Sequence, residues 1–133
     1  FFPDLRDPAF ETAIAVFHER YATNTLPRWE LAQPFRLLAH NGEINTLWGN
    51  RNGFAMRDGL LATAAFGEHA GRVRQPIRRG GSDSASLDNA LELLVRGGRS
   101  PVHATMMLVP QAWERYPDID PTVRAFYEYH QCV

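Results

Sequence analysis

Phe35-Arg36-Leu37-Leu38-Ala39-His40-Asn41-Gly42-Glu43-Ile44-Asn45 changes its period in the middle. Residues 35 to 40 form a short apolar run of strand length. Asn41-Gly42 tolerates positive φ and ends that run in a turn. From Ile44 onward Leu47, Trp48, Arg51 and Ala55 fall at helical spacing, so a helix to about Leu61 is expected despite its glycines. A strand that turns and leads into a helix, instead of returning as a second strand, argues against a plain hairpin at Asn-Gly.

Working outward, Ala13-Ile14-Ala15-Val16-Phe17 reads as a second buried strand, which delivers His18 and Arg20 to a loop. Asp7-Pro8 reads as a cap and first helical position of one short turn. Asn24 to Pro34 carries two internal breakers, Pro27 and Pro34, and is expected to be irregular. Thr63 to Gly80 is polar and reads as a loop. Ser82-Asp83-Ser84 offers an N-cap, Leu87, Ala90, Leu91 and Leu94 form an apolar stripe, and Gly97-Gly98 ends that helix. Ser100-Pro101 opens another helix. Asp120-Pro121 opens a last one, with Val123, Phe126, Tyr127 and His130 on one face. The order is strand, strand, then helices, an α+β class with no isolated βαβ unit.

The 133 residues suffice for one domain or part of one, with 44% apolar and 22% charged residues. A formal net charge of -1 gives no reason to expect a nucleic-acid or membrane partner. All 14 basic residues are arginine, from which no function follows. No apolar run approaches the roughly 18 residues of a membrane span. One cysteine, Cys132, excludes an internal disulfide and fits a reducing compartment. The five histidines, at 18, 40, 69, 103 and 130, include no close ligand pair, so no metal site is expected. The opening Phe-Phe-Pro-Asp carries no signal peptide pattern, and His130-Gln131-Cys132-Val133 no helix stop signal. The expectation is a piece from inside a longer protein.

Three blocks carry the chemistry: Arg20-Tyr21-Ala22-Thr23-Asn24, His40-Asn41-Gly42-Glu43, and Gly81-Ser82-Asp83-Ser84. Free glutamine presents a carboxylate, an ammonium and a carboxamide. The planar fork of an arginine suits the carboxylate, and Arg20 is the candidate, with a surface ion pair as the plainer account. A carboxylate suits the ammonium, and Asp83 is the candidate, with a helix cap as the plainer account. Attack on an amide builds charge on oxygen, which an adjacent side-chain amide and backbone N–H can meet; Asn41 and Gly42 are adjacent.

In their order and flanking residues these blocks resemble the class II glutamine amidotransferases, whose glutaminase domains use an N-terminal cysteine. Asn24-Thr25-Leu26-Pro27, Trp29, Ala32-Gln33-Pro34, His40 through Asn52, Met106 through Trp113 and Arg124 through His130 look like the large chain of glutamate synthase. The resemblance covers nearly the whole chain except about Thr63 to Ile77. It implies part of a four-layer αββα sandwich of the N-terminal nucleophile hydrolase type over 1–133. It implies Arg20 and Thr23 for the glutamine carboxylate, Asn41 and Gly42 for the oxyanion, Asp83 for the ammonium, and Tyr21 and Asn24 in support. Asn24 stands where sister amidotransferases carry His, which favours the glutamate synthase branch. His18 and His40 are read as structural neighbours of the site. The nucleophile would lie upstream of Phe1, and Cys132, in no motif, is read as a buried or half-buried free thiol.

The implied parent takes glutamine and passes ammonia to 2-oxoglutarate. FMN, an iron-sulfur cluster and NADPH, NADH or ferredoxin would belong to its other domains, with a small reductase subunit as a further partner. The compartment would be the cytoplasm, or the plastid of a photosynthetic eukaryote. The fragment alone should be inactive. The rivals are another class II amidotransferase and a noncatalytic glutamine-binding module.

Overall fold

A computed structural model describes residues 2–21, 25–58 and 64–131. Four α-helices organise it: α1 (Leu47–Arg57), α2 (Asp83–Arg96), α3 (Pro101–Leu108) and α4 (Pro121–Gln131). Short 3-10 turns stand at Pro3–Arg6, Trp29–Leu31, Ala64–Arg72 and Trp113–Arg115.

Local chemistry sets the helix ends. The Ser82 hydroxyl accepts from Ala85 N at 3.0 Å and caps α2, leaving Asp83 as its first residue. At the other end Gly98 N–H donates to Val95 O (3.1 Å) and Arg99 N–H to Leu94 O (3.1 Å), with Gly98 at φ 101°. This paired closure needs a left-handed residue, which glycine adopts without a Cβ penalty. Ser100 caps α3 through His103 N (3.2 Å), with Pro101 following it. Asp120 accepts from Thr122 N (2.8 Å) and Val123 N (3.2 Å) before α4. These amides hold the Asp120 carboxyl below its ordinary range. Asp7 closes the short turn expected of it, accepting from Ala9 N at 2.8 Å.

The core gathers on α2. Ala85, Ala90 and Leu91 are buried there, with Leu31, Ala104 of α3 and Tyr127 of α4. Packing of α2 on α3 joins the α2 residues to Ala104. On α4, Phe126 stacks edge-on against His103 (5.3 Å between ring centres) and His130 (4.4 Å). Burial of His130, then the nearby Arg99 and His103, lowers its pKa.

Three expectations change. No strand forms among the described residues, so neither 13–17 nor 35–40 is one. Ile14 and Phe17 stand 79% and 77% exposed, with nothing covering them to reward a sheet face. At 35–38 the amides are consumed locally: Phe35 N–H donates to Leu38 O (2.9 Å), and the next three turn to a carboxylate described below. The helix expected from Ile44 starts at Leu47, because Asn45 and Thr46 first turn the chain, Thr46 at φ 55°. The polar stretch after Thr63 holds the Ala64–Arg72 turn, kinked at Gly67, where a loop was expected.

Candidate functional site

The first two turns of α2 hold the His40–Ile44 loop from one side. Asp83 is half-buried, and its Oδ2 accepts from Ile44 N at 3.0 Å. Its Oδ1 accepts from Ser84 N (2.6 Å) and from Ser84 Oγ (3.3 Å). A carboxylate at a helix start also meets the positive end of the helix dipole. The next residue, the fully buried Ser84, places its Oγ 2.8 Å from His40 Nδ1. The loop is thus tied to α2 by its first and last residues, and the intervening Asn41 and Gly42 are exposed.

Gln33 grips the same loop from the other side. Its Nε2 donates to His40 O (3.0 Å), and its Oε1 accepts from His40 N (2.7 Å). A buried amide that satisfies both backbone groups of one residue acts as a substitute strand partner.

Deeper in α2, Asp88 is 2% exposed. Its Oδ1 accepts from Leu37 N (2.9 Å) and Leu38 N (3.2 Å), and its Oδ2 from Arg36 N (3.3 Å). Three amides solvate this charge, as burial demands. Ser86 and the adjoining backbone hold α1: Arg51 donates from Nη2 to Gly81 O (2.7 Å) and Ser86 Oγ (2.8 Å), and from Nε to Ser86 Oγ (3.1 Å). No residue of α1 is itself buried, and this guanidinium ties it to the start of α2.

Of the candidates read from sequence, Asn41, Gly42 and Asp83 come together. Arg20 is exposed, its N–H donating to His18 Nδ1 at 3.1 Å, and Tyr21 is half-buried. Thr23, Asn24 and Cys132 lie outside the described residues. Sequence reasoning missed Gln33, Ser84 and Asp88 as builders of the site. Asp88 carries a signal that could have found it: an acid three residues before Leu91 and four after Ser84, on the buried face of α2.

Beside the loop, α1 and residues 75–80 enclose an open groove of about 470 Å³, lined by Trp48, Phe54 and Arg79 among others. Among the described residues no three His, Cys, Asp or Glu side chains are placed to hold a metal. No described helix is long and apolar enough to cross a membrane.

Residues 1–133 match the family described as glutamine amidotransferases class-II. The NADPH glutamate synthase large chain of Bacillus subtilis is 47% identical over 133 residues, all of this chain and 9% of its own length. The chloroplastic/mitochondrial ferredoxin-dependent glutamate synthase 1 of Arabidopsis thaliana is 44% identical over 98% of this chain and 8% of its own. The NADH glutamate synthase of Saccharomyces cerevisiae is 45% identical over all of this chain and 6% of its own. The chain therefore spans less than a tenth of the length of these relatives.

Proposed function

The chain belongs to the class II glutamine amidotransferases, and on that premise we propose that it is a segment of the glutaminase domain of a glutamate synthase. The observation that carries the proposal is the Asn41–Gly42 turn, pinned to Asp83 through Ile44 N at 3.0 Å within a chain that matches this family from end to end. Identities of 44 to 47% with synthases that use NADPH or ferredoxin support the branch.

In this reading the thiolate of an N-terminal cysteine, outside these residues, attacks the glutamine carboxamide carbon. Its own α-amine takes the thiol proton. The carbonyl oxygen becomes an oxyanion, which accepts from the Asn41 side-chain amide and Gly42 N–H. One such donor is worth about 3–4 kcal/mol where it has been measured. The C–N bond breaks, ammonia leaves with the shuttled proton, and water hydrolyses the thioester to glutamate. Arg20 and Thr23 take the substrate carboxylate, Asp83 the ammonium, and Tyr21 and Asn24 support Arg20. The ammonia passes to 2-oxoglutarate in another domain for reductive amination.

The full domain in this reading is an αββα sandwich, in which 13–17 pairs with strands from elsewhere in the parent. FMN, an iron-sulfur cluster and the NADPH, NADH or ferredoxin reductant belong to the other domains or to a small reductase subunit. A cluster needs several thiolates, and this chain has one cysteine, so the residues here do not fit it. The protein would work in the cytoplasm, or in a plastid as the Arabidopsis relative's name indicates for that protein.

The test is ammonia release from glutamine by the full-length protein, with its mature N-terminal residue read by mass spectrometry. A free N-terminal cysteine with stoichiometric ammonia and glutamate is the expected result. Glutamine binding without ammonia release would leave a noncatalytic binding module.

A further inference from the structure

We propose that His40 is the positioning residue of the Asn41–Gly42 loop, its imidazole fixing the direction of the Gly42 N–H. The proposal rests on the glutaminase reading for its catalytic consequence, and on the structure alone for its geometry.

Three hydrogen bonds immobilise His40. Gln33 holds its N–H and C=O (2.7 and 3.0 Å), so the backbone entering the turn has one orientation. Ser84 Oγ lies 2.8 Å from Nδ1, so the ring does too. Ser84 is fully buried on a helix and donates its own Oγ–H to Asp83 Oδ1 (3.3 Å). That leaves Ser84 Oγ to accept from a His40 Nδ1–H.

The Nε2 edge of the ring lies against Gly42. A Cβ built on Gly42 would meet Nε2 at 2.9 Å and Cε1 at 3.3 Å. The ring therefore occupies the space any side chain at 42 would need. Gly42 is required here for close approach, not for a left-handed φ. With ring and turn in contact, a movement of the Gly42 backbone toward the ring must displace His40 from Ser84, so the ring limits the directions open to the Gly42 N–H. An oxyanion donor held this way needs no reorganisation during the reaction, which is where such donors gain their effect.

Two readouts in the full-length protein test this. In glutaminase kinetics, His40→Ala should lower kcat about 10- to 100-fold with the glutamine KM within about threefold, the pattern of a group lost only in the transition state. Gly42→Ala should be far more damaging in the wild-type background than in His40→Ala, where the 2.9 Å overlap is gone. Ser84→Ala, nearly isosteric, should reproduce the kcat loss in part.

A His40→Ala or Ser84→Ala enzyme with kcat within about twofold of wild type, or losses that simply multiply in the double variant, would overturn the positioning role. The second readout is amide hydrogen exchange over residues 40–44. It should quicken at least about tenfold in either variant, and unchanged exchange overturns the geometry. Should the wild-type protein release no ammonia, the function reading fails by itself, and exchange still decides whether His40 holds the loop.

Discussion

Replacing Asp88 by asparagine should loosen the approach to the site more than any single change on the exposed surface. The wild-type carboxylate is 2% exposed and accepts three backbone amides at 2.9, 3.2 and 3.3 Å. Asparagine keeps one acceptor oxygen, which can serve Leu37 and Leu38. Its NH2 group then faces Arg36 N–H, donor against donor. The lost charged bond is worth about 1.5–3 kcal/mol, and the two retained bonds weaken as their acceptor loses its charge. A total of about 2–4 kcal/mol follows, after discounting for the two longer bonds. At 1.4 kcal/mol per tenfold, the amides of Arg36, Leu37 and Leu38 should exchange with deuterium about 30- to 700-fold faster. Asp88→Ala should exceed this, because no acceptor remains. The internal control is Arg36→Ala, which removes an ion pair to Glu92 at 2.9 Å whose arginine side chain is 74% exposed. Such pairs contribute about 0–1 kcal/mol. Exchange over 36–38 within about threefold of wild type in Asp88→Asn would refute the reasoning, since it would mean those amides are protected by something other than this carboxylate.

Three further outcomes are expected. The His130 pKa is lowered by burial and by Arg99 and His103, so its neutral form is favoured in the fold. Stability from this group is present above histidine's ordinary range and is lost as pH falls from there through the lowered value. The aromatic contacts of α3 and α4 should loosen on that acid side, and a nontitrating His130→Gln protein should show a flatter thermal-stability profile there. Arg51→Lys should destabilise α1 by about 2 kcal/mol, because a point charge cannot span Ser86 Oγ and Gly81 O as the guanidinium does; exchange of amides 47–57 reads it. Asp83→Asn in the full-length protein should raise the glutamine KM by tenfold or more, as a neutral amide cannot balance an ammonium; an unchanged KM would remove Asp83 from the pocket.

The helices were legible because their signals are local. Ser82, Ser100-Pro101 and Asp120-Pro121 open α2, α3 and α4 where their cap chemistry predicts, and Gly97-Gly98 closes α2. The α4 face of Val123, Phe126, Tyr127 and His130 is the one turned inward. The apolar runs at 13–17 and 35–40 misled because a strand exists only through its neighbour, and a run of apolar residues does not name one. The grip of Gln33 on His40 was illegible for a related reason. A glutamine before a proline has no pattern, and its two bonds reach seven residues along the chain. Arg51 was half visible, as an arginine in line with Leu47, Trp48 and Ala55, but its partners lie about 30 to 35 residues away.

The two halves of the candidate pocket have different physical origins. The Asn41–Gly42 half is assembled by α2, whose Asp83, Ser84 and Asp88 reach back across 39 to 52 residues to seize the loop and its approach. Those ties are side chain to backbone or side chain to side chain, made by a helix that is stable through its own caps and buried stripe. This half therefore needs no sheet. The Arg20 half is organised otherwise. The hydrogen bonds described around it, Thr12 Oγ1 to Ile14 O and Arg20 N to His18 Nδ1, each span two residues. They shape a turn without aiming a side chain. A guanidinium recognises a carboxylate only when its fork is held in plane with it. In a strand, pairing would set which face each residue presents, and a shift of one residue would turn Arg20 to the other side. The placement of Arg20 thus depends on partners for 13–17, whereas the Asn41–Gly42 turn depends on α2. On this argument substitutions of Ser84 and Asp88 in α2 should be read out in kcat, and substitutions that disturb 13–17, like the loss of the Asp83 charge, in substrate affinity. That division is a kinetic signature the full-length enzyme can be made to display.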